Sequence, residues 1–193
     1  MHMLIKVLVF ARDEEGALNE AKRILENLCG DGRFFDYYTT FDEDGYGMSG
    51  KDRWGEMAPA VKVCTSLGSS KCNQCPDRFK CYTTKMNEAI EDIMQTMQKT
   101  KRSFLEHLKQ IKKYLATHSD DQLFEEDDFK YQCYSVGQYE GPSVWLYDQD
   151  GEGITSYRHL HNVLNKWACN NNGKPSPEYK DKDLYVVPAD VHW

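Results

Sequence analysis

The sequence lacks any long apolar stretch. Its longest, residues 4–11, is interrupted by Lys6 and falls well short of the ~20 residues that a membrane-crossing helix needs. The same stretch has no basic leader and no small-residue cleavage site, so it reads as a β-strand and not as a signal peptide; a cytoplasmic protein is expected. Positive charge is also scarce. Twenty-four Lys and Arg stand against 31 Asp and Glu, a net charge of −7. That balance argues against a general nucleic-acid binder, which needs clustered Lys and Arg to neutralise phosphates, though it leaves room for a local basic patch. Absent as well are G-x-S-x-G, the Walker A loop, G-x-G-x-x-G and H-E-x-x-H. The missing catalytic motifs point away from an enzyme and towards an interaction or regulatory protein, such as an accessory factor of a mobile element; the alternatives are an iron–sulfur nucleic-acid-binding or nuclease-accessory protein and an enzyme whose site assembles from scattered acids and histidines.

What is present suggests one α+β domain carrying a large insertion, since 193 residues fit that size. Residues 3–10 are rich in Ile, Val and Leu and read as a strand. Ala17, Leu18, Ala21, Leu25 and Leu28 follow at helical spacing, with Asp13 as N-cap, Glu14 and Glu15 in the first turn, and Gly30 and Gly32 as the stop. The aromatic and β-branched segment 33–41 reads as a second strand. Its alternation gives it two faces, one for the core and one open to a ligand. The order repeats near the C-terminus: a strand at 143–147, a turn, a helix capped by Ser156, and a strand at 183–191 placed at an edge or strand end by Pro188. Tandem β-α-β units predict a ferredoxin-like sandwich, built from residues 1–41 and 129–193, with both helices on one face of an antiparallel sheet. A further strand is expected at 129–136.

Residues 42–128 form the predicted insertion. Its second half, residues 83–116, contains neither Pro nor Gly. Met86, Ile90, Ile93, Met97, Phe104, Leu108, Ile111 and Leu115 give it an apolar face, with polar Thr100 in the gap. One helix of that length would reach ~50 Å, more than a small domain's diameter. It must therefore pack on a second copy or fold back as a hairpin broken near 99–103. Lys101, Arg102, Lys109, Lys112 and Lys113 make its later half basic, while Glu88, Glu91 and Asp92 make its first half acidic. Such lysines commonly serve solubility, and the alternatives are a face that touches nucleic acid or opposite charges that pair two antiparallel copies.

Four cysteines, Cys64, Cys72, Cys75 and Cys81, lie within eighteen residues. Bunched cysteines in a reducing compartment are more often ligands than disulfides. Four thiolates close a tetrahedral zinc site, but only Cys72 and Cys75 form the two-residue knuckle that zinc ribbons use twice. A [4Fe–4S] cluster tolerates uneven spacing, because its irons sit at separated corners, and this favours iron–sulfur over Zn2+. The run CNQCPDRFKC resembles cysteine runs in the auxiliary-cluster domains of radical-SAM enzymes and in the iron-staple nucleases. The rest of the chain has neither a C-x3-C-x2-C motif nor a nuclease carboxylate–lysine constellation, so neither activity is carried over. All four ligands would come from protein, leaving no open position for substrate, so the expected role is a staple. The alternative is four free or oxidised thiols.

The remaining signals have plain explanations. Cys29, Cys133 and Cys169 are isolated and read as small buried hydrophobes. His159 and His161 are two apart on a helix and point to different sides, His159 to solvent and His161 to a boundary. Asp148, Asp150 and Glu152 alternate like calcium ligands, but the acid that would complete an EF-hand loop is missing, and a turn explains them. His192 reads as solvated.

Overall fold

A computed structural model describes residues 2–45, 47–63, 85–137, 144–168, 179 and 181–192. Among these residues the chain is mixed α+β, with a five-stranded sheet and six helices. In chain order they are β1 (His2–Ala11), α1 (Glu14–Leu28), β2 (Tyr37–Thr40), α2 (Lys51–Trp54), β3 (Val61–Val63), α3 (Lys85–Thr117), α4 (Asp120–Glu125), α5 (Asp127–Gly137), β4 (Leu146–Tyr147), α6 (Tyr157–Ala168) and β5 (Asp183–His192). No helix among the described residues is long and apolar enough to cross a membrane.

The sheet is built on β1 and β5, which pair antiparallel over their whole length, from His2 against His192 to Ala11 against Asp183. The strand order is β2-β5-β1-β4, and β3 joins the same edge of β5 as β2. Strands with both faces covered become almost continuously apolar, and β1 and β5 have that composition. Odd-numbered residues Met3, Ile5, Val7 and Val9 pack with Val187, Ala189 and Val191 against Ala17, Ala21, Ile24, Leu25 and Leu28 of α1. Even-numbered Leu8, Phe10, Leu184 and Val186 pack against Ile93 and Met97 of α3 and Leu160 and Val163 of α6.

This arrangement corrects the expected one-sided sandwich. The helices cover both faces of the sheet. The first unit is a split β-α-β, since β1 and β2 both run antiparallel to β5, which lies between them. The second is not a parallel unit: β4 runs parallel to β1, so α6 links it to an antiparallel β5. Alternating apolar residues report that a sheet face is buried, but not which helix buries it.

Pro188 sits in a central strand and not at an edge. The Lys6 amide donates to the Trp145 carbonyl on the β4 side at 2.9 Å. Odd residues of β1 therefore face β5, and even residues of β5 face away from β1. Pro188 is even, and on that side β3 pairs with residues 184–186 while β2 starts at Ala189. The missing N–H falls in the gap between two partner strands, where no ladder bond is lost.

α3 takes one of its two expected forms, and α5 corrects an expectation. α3 is one continuous helix with no break near 99–103. Thr100 is fully buried, and its hydroxyl accepts the Trp145 amide at 3.1 Å, so this polar residue belongs to the core contact. Residues 129–136, expected as a strand, lie in α5. The residues α5 buries are polar Gln132 and Ser135, three apart, so an apolar pattern did not mark the helix. Segment 42–128 contributes β3 and the first half of α3 to the central fold.

Candidate functional site

Beyond Thr100 the long helix leaves the sheet, and about 25 Å of it extends as an arm. A capping box at Ser119, whose hydroxyl accepts the Gln122 amide while the Gln122 side chain accepts the Ser119 amide, starts α4 and turns the chain back. α5 then runs alongside α3. His107 bonds Gln132 at 2.7 Å, Gln132 donates to Asp128, and the Tyr114 hydroxyl donates to Asp128. Tyr114 packs edge-on to Phe129, and His107 edge-on to Tyr131. The Asp128 hydrogen bond, followed by partial desolvation, pushes the Tyr114 phenol up to about 12.

The arm buries few side chains fully, and those where α3 meets α5 are half-buried. Among the described residues no side chain of α3 beyond Thr100 is buried, and α4 and α5 bury only Leu123, Gln132 and Ser135. Exposed apolar side chains are frequent on it: Leu105, Leu115, Phe124, Tyr131 and Tyr134, with Phe124 81% exposed. The five candidate nucleic-acid residues, Lys101, Arg102, Lys109, Lys112 and Lys113, are all exposed here. The side of α3 that meets α5 carries Phe104, His107, Leu108, Ile111 and Tyr114, and the cations lie on the opposite side.

The second constellation is at the far end of the sheet, on the face that α3 and α6 cover further along. Asp190 is 1% exposed. Both its oxygens lie 3.1 Å from His2 Nδ1, and Oδ2 also accepts the Gly50 amide at 2.9 Å. His192 Nδ1 meets Asp36 at 3.0 Å, its ring stacks on Tyr37 at 4.9 Å between centroids, and the His2 ring meets it edge-on at 5.0 Å. The group ties the loop after β2 to the sheet, helped by a Thr39–Ser49 hydroxyl bond. Gly50 is required there: its φ is +53°, and a Cβ would sit 2.9 Å from Thr39 Cγ2. By sequence His192 reads as solvated, and Asp190 is a single acid in an apolar strand with no partner in view. That isolation was the available signal, because a carboxylate buried in a sheet needs a partner.

A third group lies in the turn before α6. Asp148, 3% exposed, accepts the amides of Asp150 and Glu152 through Oδ1, both at 2.9 Å, while Oδ2 meets His159 Nε2 at 3.0 Å. His159 is thus half-buried and bonded, not solvated, and His161 is the exposed member of the pair. Asp148, Glu152 and His159 bring ligand atoms within 4.8 Å of one another, so they are the described residues placed to share a cation. Asp150 is not among them. The bonds already made by Asp148 explain the group as a turn fastened to a helix.

Cys64, Cys72, Cys75, Cys81 and Cys169 lie outside the described residues. Cys29 is half-buried, as a small hydrophobe would be, whereas Cys133 is exposed on α5 and not buried in a strand. Burial first, and the Asp36 charge second, push the Cys29 thiol up to about 12. At pH 8 its thiolate fraction is about a thousandfold below that of an ordinary thiol. Alkylation by iodoacetamide, followed by peptide mass spectrometry, should therefore label Cys133 rapidly and leave Cys29 largely unmodified. Comparable rates would contradict the burial of Cys29.

No curated protein and no solved structure matches the chain. A family model described as a domain of unknown function matches it twice, over residues 1–98 and over residues 83–193. The matches meet in the first half of α3, the part that lies on the sheet, and together they span all 193 residues. The chain belongs to this family, DUF7995.

Proposed function

We propose that the chain is an interaction protein, a sheet-based body that holds out a helical arm for a protein partner. The arm's burial pattern carries this reading. Seventeen residues of helix and the two helices folded back on it cover one apolar side between them but leave Leu105, Leu115, Phe124, Tyr131 and Tyr134 exposed, and exposed apolar surface of this kind marks binding surfaces. Cys64, Cys72, Cys75 and Cys81 belong to the same proposal, as ligands of a [4Fe–4S] cluster or Zn2+. They lie in the sequence between β3 and α3, where a metal would fix the start of the long helix that carries the arm. No open coordination position is needed for that role.

If the exposed apolar residues serve a partner and not the fold, removing them should leave stability intact. Leu105→Ser with Phe124→Ser should change the melting temperature by no more than about 2 °C, the range of exposed substitutions. The measurement belongs at protein concentrations where the melting temperature no longer depends on concentration, so that association contributes nothing. A fall of about 10 °C would mean that these side chains hold the arm together, and the reading would fail.

A further inference from the structure

The geometry points to a second copy of this chain as the arm's partner, an inference that rests on reading the arm as a docking element. The arm divides its charge between its two strokes. Residues 101–117 carry five Lys and Arg against one Glu, a net +4. Residues 118–137 carry six Asp and Glu against one Lys, a net −5. The two cannot satisfy each other within one chain, because the cations face away from α5. Lys101, Leu105, Lys109 and Lys112 recur at spacings of four, four and three, which makes one stripe on α3 with an exposed Leu inside it. Among the described residues Lys101, Lys109 and Lys112 make no ion pair, and the arm's one recorded bridge joins neighbours Lys130 and Asp127.

A two-fold axis resolves this. In an isologous dimer, whatever one copy's stripe meets on its partner is met again by symmetry, so each complementary contact occurs twice. The acids gather at the tip, where Asp120, Asp121 and Glu125 are exposed, and the cations run from the root. Matching them aligns the two arms antiparallel, tip against root. Leu105 and Phe124, each set among charges, then become the apolar centre of a four-element bundle. A nucleic acid on the same stripe would have to accept a surface of net −5 beside it, which disfavours that occupant.

Sedimentation equilibrium of the full chain tests the assignment. The wild type should dimerise, more weakly in 1 M than in 0.1 M salt, since the steering pairs are exposed. A cation-reversed variant (Lys101→Glu, Lys109→Glu, Lys112→Glu) and an acid-reversed variant (Asp120→Lys, Asp121→Lys, Glu125→Lys) should each self-associate at least about tenfold more weakly. Mixed together, they should regain wild-type association, because both symmetric contacts are then complementary. A wild type monomeric at every concentration overturns the assignment, as does a dimer indifferent to both reversals. Salt-dependent binding of an oligonucleotide duplex by the monomeric wild type, lost in the cation-reversed variant, gives the stripe to nucleic acid and also overturns it. Each of these results leaves the stability test of Leu105 and Phe124 unaffected, so the arm and its occupant fail separately.

Discussion

Asp190→Ala should lower the stability of the chain by about 3 kcal/mol, more than any exposed substitution discussed above. Asp190 is 1% exposed and stands on the opposite face of β5 from Val187, Ala189 and Val191. Its carboxylate accepts from the Gly50 amide at 2.9 Å and pairs with His2 Nδ1 at 3.1 Å. Alanine would leave a buried N–H and a half-buried imidazole without partners. Losing one side of a closed polar contact costs the desolvation of the groups left behind, and not merely one bond. The loop that Asp190 holds also contains Met48, a non-glycine residue at φ 74°, a conformation that survives only where its surroundings fix it. The expected result is a melting temperature lower by about 10 °C, with faster amide exchange at Gly50. Asp190→Asn keeps one acceptor oxygen and should lose only about 1 kcal/mol. If the alanine variant matched the wild type, the carboxylate would not be what fastens the loop.

How much of this was legible in the sequence depended on whether local pattern and tertiary role agreed. β1, α1 and β5 could be read directly. A β-branched apolar run, an Asp13 cap whose side chain accepts the Gly16 amide at 2.8 Å, and a helical apolar stripe all say the same thing locally. Lys6, which broke the apolar run, pairs with Asp92 of α3, so the interruption marks where the long helix is anchored across the sheet. The aromatic strand was half readable. Of the expected strand 33–41 only Tyr37–Thr40 is strand, and only the fold assigns Phe35, just before it, to the α1 face and leaves Phe34 and Tyr37 exposed.

The misreadings share one cause: the deciding partner was distant or polar. α5 turns Gln132 and Ser135 inward, so no apolar period marked it, and Phe129, Tyr131 and Cys133 happened to alternate like a strand. Asp190 finds its partner 188 residues away at His2. His159 looks solvent-facing beside His161 on its own helix, but its partner is Asp148 in the preceding turn. Pro188 argued for an edge only because a gap between β2 and β3 cannot be seen along one strand. Pairings across a sheet are fixed by topology, and one-dimensional spacing carries little information about them.

Cys75→Ser should abolish metal binding by the chain, from about one zinc or about four irons per molecule to a small fraction of that. Cys75 belongs to the C-x2-C knuckle and to the set of four thiolates that would close either site, and a hydroxyl replaces a thiolate poorly in both. The expected structural consequence is local. The described residues form apolar cores on both faces of the sheet, and the body should keep most of its cooperative unfolding. The sequence between β3 and α3 has few apolar residues of its own, so metal binding would supply its folding free energy. Loss of the metal should therefore appear as protease sensitivity between residues 63 and 85 and as weaker ordering of the arm that follows. Anaerobic purification with metal analysis separates the two occupants: a brown protein rich in iron indicates the cluster, and a colourless one with stoichiometric zinc indicates the staple. Cys29→Ser and Cys133→Ser are the controls and should leave the metal content unchanged. A wild type with neither metal, or a Cys75→Ser variant that keeps its full complement, would remove the fastener and leave the arm to be held by Lys6, Thr100 and the packing of Ile93 and Met97 alone.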